Sequence, residues 1–106
     1  MKVTTWIIAA HDEQAKAGPK IIKVFGNMYD VEEFIIKEIQ KAAKKHSQWR
    51  IDKKRSTTEL GDFEETSDGV VYGFAYFDNI AADNRPFKIS YSAYDENDIE
   101  YVEINE

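Results

Sequence analysis

The sequence predicts an α+β fold: a single amphipathic helix packed on one face of a mostly antiparallel sheet of five or six strands, in the order β-β-α-β-β-β-β. Three observations carry that expectation. Residues 29–46 hold apolar side chains at three- and four-residue spacing, whereas the other apolar residues alternate with polar ones or cluster in short runs. Turn signals such as Gly18-Pro19, Gly26-Asn27 and Ser67-Asp68-Gly69 separate those runs.

Residues 3–9 are rich in β-branched and aromatic side chains and read as a first strand. Residues 11–19 are a polar loop, residues 20–25 a second strand antiparallel to the first, and Gly26-Asn27 turns the chain into the helix. Asp30 is the expected N-cap, with Glu33 closing a capping box and Tyr29 and Phe34 forming a hydrophobic staple. Glu32 and Glu33 complement the positive end of the helix dipole, and Lys41, Lys44, Lys45 and His46 the negative end. Val31, Phe34, Ile35, Ile39, Ala42, Ala43 and His46 form the apolar side, with Phe34, Ile35 and Ile39 expected against a sheet and Glu32 and Glu33 on the polar side.

After the helix, residues 48–52 alternate around Trp49 and Ile51 as a short strand. Residues 57–65 place Leu60 and Phe63 out of phase, which a bulge near Gly61 would reconcile. Residues 70–77 are apolar on both faces and belong inside the sheet, Gly73 and Ala75 leaving room for the helix. Residues 78–86 connect to a strand at 87–94, with Phe87, Ile89, Tyr91 and Ala93 inward. Residues 95–98 form a turn, and residues 99–104 are the expected last strand.

At 106 residues the expectation is a single globular domain, 1–106, able to build a core without metal or disulfide staples. Cysteine is absent, which excludes disulfides, thiolate chemistry and cysteine-ligated zinc. No apolar run approaches the roughly 20 residues that span a bilayer, so no membrane association is expected. Residues 1–10 imitate a signal peptide only faintly, because Thr4 and Thr5 interrupt the apolar run and His11, Asp12 and Glu13 follow it. The expectation is a cytoplasmic protein.

The net charge of −6 hides an asymmetry. Residues 1–55 carry 12 Lys/Arg against 7 Asp/Glu, a net of +5, and residues 56–106 carry 2 against 13, a net of −11. Such an imbalance bears on partners rather than on fold.

Catalytic patterns are weak. His46 sits on the apolar side of the last helical turn beside Ser47, but sequence neighbours at a helix end rarely face each other and no acidic orienter is marked. His11-Asp12-Glu13 offers three metal-capable side chains in a row, which point in different directions along a chain. Asp62 and Glu64 on one strand face would lie about 6.6 Å apart, a glycosidase-like spacing without the apolar pocket that raises a carboxyl pKa. Residues 95–98 resemble half of a calcium loop without its central glycine. The five glycines form no phosphate cradle. Neither a catalytic site nor a cofactor nor a metal is expected.

The charge clusters remain. Glu59, Asp62, Glu64, Glu65 and Asp68 form one acidic run, and Asp95, Glu96, Asp98, Glu100, Glu103 and Glu106 a second. The leading expectation is a non-catalytic protein-interaction module whose acidic face, Glu59, Asp62, Glu64, Glu65, Asp95, Glu96, Asp98, Glu100 and Glu103, binds a basic partner surface. In its sharp form it is a nucleic-acid mimic that inhibits a nucleic-acid-binding protein; in its plain form it is an accessory subunit. The alternative is single-stranded nucleic-acid binding through Lys41, Lys44, Lys45, Trp49, Arg50, Lys53, Lys54 and Arg55, a mix of cations and a stacking ring. A small-ligand or enzymatic domain ranks third. The competing structural explanation is that the two clusters pair with each other, inside the fold or across a homodimer.

Overall fold

The computed structural model describes residues 2–15, 18–45, 49–65, 69–79 and 86–104. Expectations placed on His46, Ser47, Ser67-Asp68, Glu106 and the side chain of Trp49 lie outside the described residues. The elements are β1 (Thr4–Asp12), β2 (Lys20–Gly26), α1 (Met28–Lys45), β3 (Trp49–Ile51), β4 (Glu64–Glu65), β5 (Val71–Asn79) and β6 (Phe87–Asp95). Two short 3-10 turns cover Leu60–Asp62 and Glu96–Asp98. The strands form one antiparallel sheet in the order β2-β1-β6-β5-β3, and β4 pairs with β5 on the same edge as β3. The architecture is the expected one, a helix on one face of a six-stranded sheet.

Strand register sorts the side chains into two faces. Ile8 lies opposite Ile22 and Ala93, and Ala93 opposite Val71, so these residues share one face with Trp6, Ala75, Phe77, Phe87, Ile89 and Tyr91. Val31, Ile35 and Ile39 of α1 complete that core. Ile8, Val31, Ile35, Val71, Ala75 and Ala93 are wholly buried, and the rings of Phe77 and Phe87 stack at 4.9 Å. Gly73 marks the closest approach of the layers, because a Cβ there would lie 3.0 Å from both Ile35 Cγ2 and Phe63 Cε1. The indole of Trp6 donates to the carbonyl of Gly26 at 3.3 Å, which satisfies its one polar atom inside the core.

The helix starts one turn register earlier than its sequence signals suggest. Asn27, not Asp30, is the N-cap: its Oδ1 accepts from the Asp30 amide at 3.0 Å, and Asp30 Oδ2 accepts from the Asn27 amide at 2.8 Å. This is a reciprocal capping box shifted back by three residues, and it leaves Tyr29 more than half exposed instead of stapled to Phe34. Glu32 also departs from expectation, since it is buried on the stripe between Met28 and Ile35, and Phe34 falls at the half-buried margin. A helix of 3.6 residues per turn puts positions 28, 32, 35 and 39 in one column, so the phase of the sequence already contained this answer.

The edge beside β5 replaces the expected bulge. The amides of Phe74 and Tyr76 donate to the hydroxyls of Thr57 and Ser56, each at 2.9 Å, and the Asp52 and Thr57 amides donate back to the carbonyls of Tyr76 and Phe74. Buried Ser56 and Thr57 hydroxyls thus stand in for ladder carbonyls where the chain detours between β3 and β4. Residues 99–104 form no strand, contrary to expectation; Tyr101, Val102 and Ile104 are 76%, 72% and 85% exposed.

Ile39→Ala should destabilise the fold by about 2 to 5 kcal/mol, the range for truncating a buried aliphatic side chain, as read by denaturant unfolding. Gly26→Ala should cost about 1 to 2 kcal/mol, because the added Cβ would meet Asp30 Oδ2 and displace the capping box. A Gly26→Ala chain that unfolds at the parent's denaturant midpoint would contradict the cap assignment.

Candidate functional site

The topology carries the two acidic runs to the same end of the sheet. Thr4 at the start of β1 lies opposite Gly26, α1 begins two residues later, and β6 ends at Asp95 opposite Trp6. On the other side of β6, Val71 at the start of β5 lies opposite both Ala93 and Glu65. The helix start, β4 and the Glu96–Asp98 turn therefore converge on one pole of the molecule. Glu33, Glu59, Glu64 and Glu65 are exposed on these elements with no ion-pair partner among the described residues, Asp98 lies near Lys2, and Glu100 and Glu103 are exposed on the segment that follows.

Three members of the expected acidic face are held within the fold. Asp95 is buried; it accepts from Lys2 Nζ at 2.6 Å, from the Asn97 amide at 3.0 Å and from the Thr4 hydroxyl at 3.3 Å. The hydrogen bond from Lys2 and that amide hold its carboxyl below the usual carboxylate range. Asp95 is thus a buried cap of the Glu96–Asp98 turn, where the sequence reading placed it on an exposed acidic face. Asp62 lies in a 3-10 turn rather than on a strand face with Glu64, and its Oδ2 accepts from the amides of Thr58 and Glu59, each at 3.0 Å. Glu96 reaches Lys23 on β2 at 3.4 Å.

Glu32 adds an unfavourable charge to the same pole. Burial pushes its carboxyl above the ordinary range, and the neighbouring Glu65 charge pushes the same way.

The opposite pole holds the basic cluster, of which Lys41, Lys44, Lys45, Lys53 and Lys54 have no ion pair among the described residues. Lys41, Lys44 and Lys45 leave the last turns of α1, and Lys53, Lys54 and Arg55 occupy the turn after β3. Lys20 lies 3.9 Å from Glu38, Arg55 4.0 Å from Asp52, and Arg50 is paired across the ladder with Asp78. A hollow of about 220 Å³ beneath α1 mixes Lys20, Lys41 and Lys45 with Asp12 and Glu38 over the buried Tyr91, whose phenol burial pushes up to about 12.

Sequence reasoning missed the face of the sheet that α1 leaves uncovered. Tyr72, Phe74 and Tyr76 form a row there, with ring centroids 6.5 and 6.0 Å apart. The Arg55 guanidinium sits 4.3 Å over Tyr76, and Lys88 Nζ lies 5.7 Å from Phe74. Alternation along 70–77 was the available signal, but apolarity on both faces pointed to burial on both. His11 is exposed at the end of β1, and the described residues contain no cluster of three or more His, Asp or Glu placed to hold a metal. No helix among the described residues is long and apolar enough to cross a membrane.

Comparison with protein-family models, with curated proteins and with solved structures finds no match for this chain. The class established is that of its architecture, one helix on an open antiparallel sheet.

The two buried carboxylates give opposite pH signatures. Asp95 has a lowered folded pKa, so its stabilisation is present above the ordinary carboxylate range and lost as pH falls through the lowered value. Glu32 has a raised folded pKa, so its penalty is present at neutral pH and vanishes in acid. Asp95→Asn should therefore lower Tm at neutral pH and Glu32→Gln should raise it, with both differences shrinking in thermal melts taken at progressively lower pH. A Glu32→Gln chain that melts lower than the parent at neutral pH would contradict this account.

Proposed function

We propose that this protein is a non-catalytic interaction module whose acidic pole docks on a basic surface of a protein partner. The observation that supports it is the convergence of Glu59, Glu64 and Glu65 with the Glu96–Asp98 turn at one end of the sheet, where Glu59, Glu64 and Glu65 have no ion pair among the described residues and the exposed Glu100 and Glu103 follow that turn. Rim charges of this kind steer encounter and set salt dependence, and they discriminate against partners of like charge. A nucleic-acid-binding protein is the partner class whose surface fits best, since its basic groove evolved for a polyanion. The working protein is then a cytoplasmic inhibitor or accessory subunit.

A second reading has its own observation. The row of Tyr72, Phe74 and Tyr76 with Arg55 and Lys88 is a ring-and-cation surface of the kind that stacks single-stranded bases. Here its own cations already cover the rings, and the acidic pole repels a polyanion, so we rank it below the first.

Affinity capture from the native host followed by binding measurements on the recovered partner separates the two. Glu59→Lys/Glu64→Lys/Glu65→Lys should weaken binding by about tenfold or more and flatten its salt dependence, whereas Lys53→Glu/Lys54→Glu should leave it near the parent value. Glu64 and Glu65 are exposed without an ion pair among the described residues, whereas Glu59 caps the Leu60–Asp62 turn, so a Glu64→Lys/Glu65→Lys chain, which keeps that cap, should also bind more weakly and should melt no lower than the parent. Saturable binding of single-stranded DNA or RNA at micromolar protein, lost on Arg55→Ala/Lys88→Ala, would overturn the reading.

A further inference from the structure

The two edges of the sheet are finished differently. At the β5 side the edge is broken into β3 and the two-residue β4, and between them Ser56 and Thr57 hydroxyls occupy the exposed amides. That is a managed edge, short and blocked against another strand. The β2 side has no such device. Lys20–Gly26 is a regular seven-residue strand whose outer side pairs with nothing among the described residues, and Ile21 and Phe25 are 59% and 76% exposed on it.

The same molecule carries an unused strand. Residues 99–104, Ile-Glu-Tyr-Val-Glu-Ile, have the composition and alternation of a half-buried strand, yet residues 100–104 make no hydrogen bond or ion pair with the described residues. The turn before them is fixed, with the Asn97 side chain donating to Thr4 at 3.1 Å and its amide to Asp95. Asp98 lies beside Lys2 and Met28 and Glu96 beside Lys23, so the turn sits at the helix-start end of the sheet, and residues 99–104 pair with no strand of their own copy.

Segment and edge are complementary in phase and charge. An antiparallel register with Glu103 opposite Lys23 also sets Tyr101 opposite Phe25 on the uncovered face. On the helix face it sets Val102 opposite Val24 and Ile104 opposite Ile22. Slipping by one residue would reverse every side chain and lose all four matches. The segment contributes Glu100 and Glu103, and the edge contributes Lys20 and Lys23, which already lie 3.9 Å from Glu38 and 3.4 Å from Glu96, so Glu103 would join Glu96 about the exposed Lys23. A second copy presents both partners at equal concentration.

We propose that residues 99–104 of one copy add as an antiparallel strand to the outer edge of β2 in a second copy. Glu100 and Glu103 belong to both surfaces, so partner binding is read through Glu59, Glu64 and Glu65, which stay outside this contact. The experiment is sedimentation velocity on the full chain at roughly 100 μM, which populates an interface of micromolar Kd. The parent should self-associate. Tyr101→Pro/Val102→Pro should be monomeric with the parent's monomer Tm, because adjacent prolines remove a ladder donor whichever side the segment presents and the segment is unpaired in the monomer. Lys23→Glu should weaken association about tenfold, and adding Glu103→Lys should restore it. A monomeric parent at that concentration, self-association that survives the two prolines, or a Glu103→Lys change that fails to rescue Lys23→Glu would each overturn the proposal.

Discussion

One helix can cover only one face of a sheet, and that constraint shapes everything else in this protein. The stripe of α1 built on Val31, Ile35 and Ile39 lies over β5, β6 and β1, and Gly73 with Ala75 lets it come close enough to bury them. Apolar burial of this kind is the dominant favourable term in a domain of this size. Its geometry dictates the rest. The second face must remain in contact with solvent, so its Tyr72, Phe74 and Tyr76 are half-buried by one another and by Arg55 and Lys88 instead of by a second layer.

Charge is sorted along the strands, perpendicular to that layering. Because α1 runs from the Thr4–Gly26 end of the sheet toward the Lys20 end, its dipole sets its positive end among carboxylates and its negative end among lysines. The local logic of a helix and the pole-to-pole asymmetry therefore agree. Both poles keep uncompensated charge. At the basic pole Glu38 and Asp52 pair with Lys20 and Arg55 while Lys41, Lys44, Lys45, Lys53 and Lys54 have no ion pair among the described residues, and at the acidic pole Lys2 is spent on the buried Asp95 and Lys23 on Glu96 while Glu33, Glu64 and Glu65 have none.

The fold was legible because periodicity in the sequence is a direct image of burial. Phe87, Ile89, Tyr91 and Ala93 are buried as their alternation required, and the small residues at 73 and 75 marked the helix contact. Errors arose where two local signals compete. Asn27 and Asp30 are both good caps, and Gly26, which alone lets Asp30 fold back onto the Asn27 amide, decides between them. Residues 99–104 have strand composition but pair with no strand in the structure, which composition cannot reveal. The acidic site was half legible: charge counting identified the carboxylates, but only the hydrogen-bond geometry separates Asp62, Asp95 and Glu59, which cap turns of the fold, from Glu64 and Glu65, which do not. The uncovered aromatic face was lost because a strand apolar on both sides is indistinguishable from a fully buried one.

The claim that the acidic pole is the working surface is tested most directly by carboxyl labelling of the protein with and without its recovered partner, read residue by residue by mass spectrometry. The account predicts protection of Glu59, Glu64 and Glu65 in the complex, with the phenols of Tyr72 and Tyr76 unchanged in a parallel tyrosine-labelling experiment. Unchanged labelling of those three carboxylates together with protection of Tyr72 and Tyr76 would contradict it and move the site to the open face of the sheet.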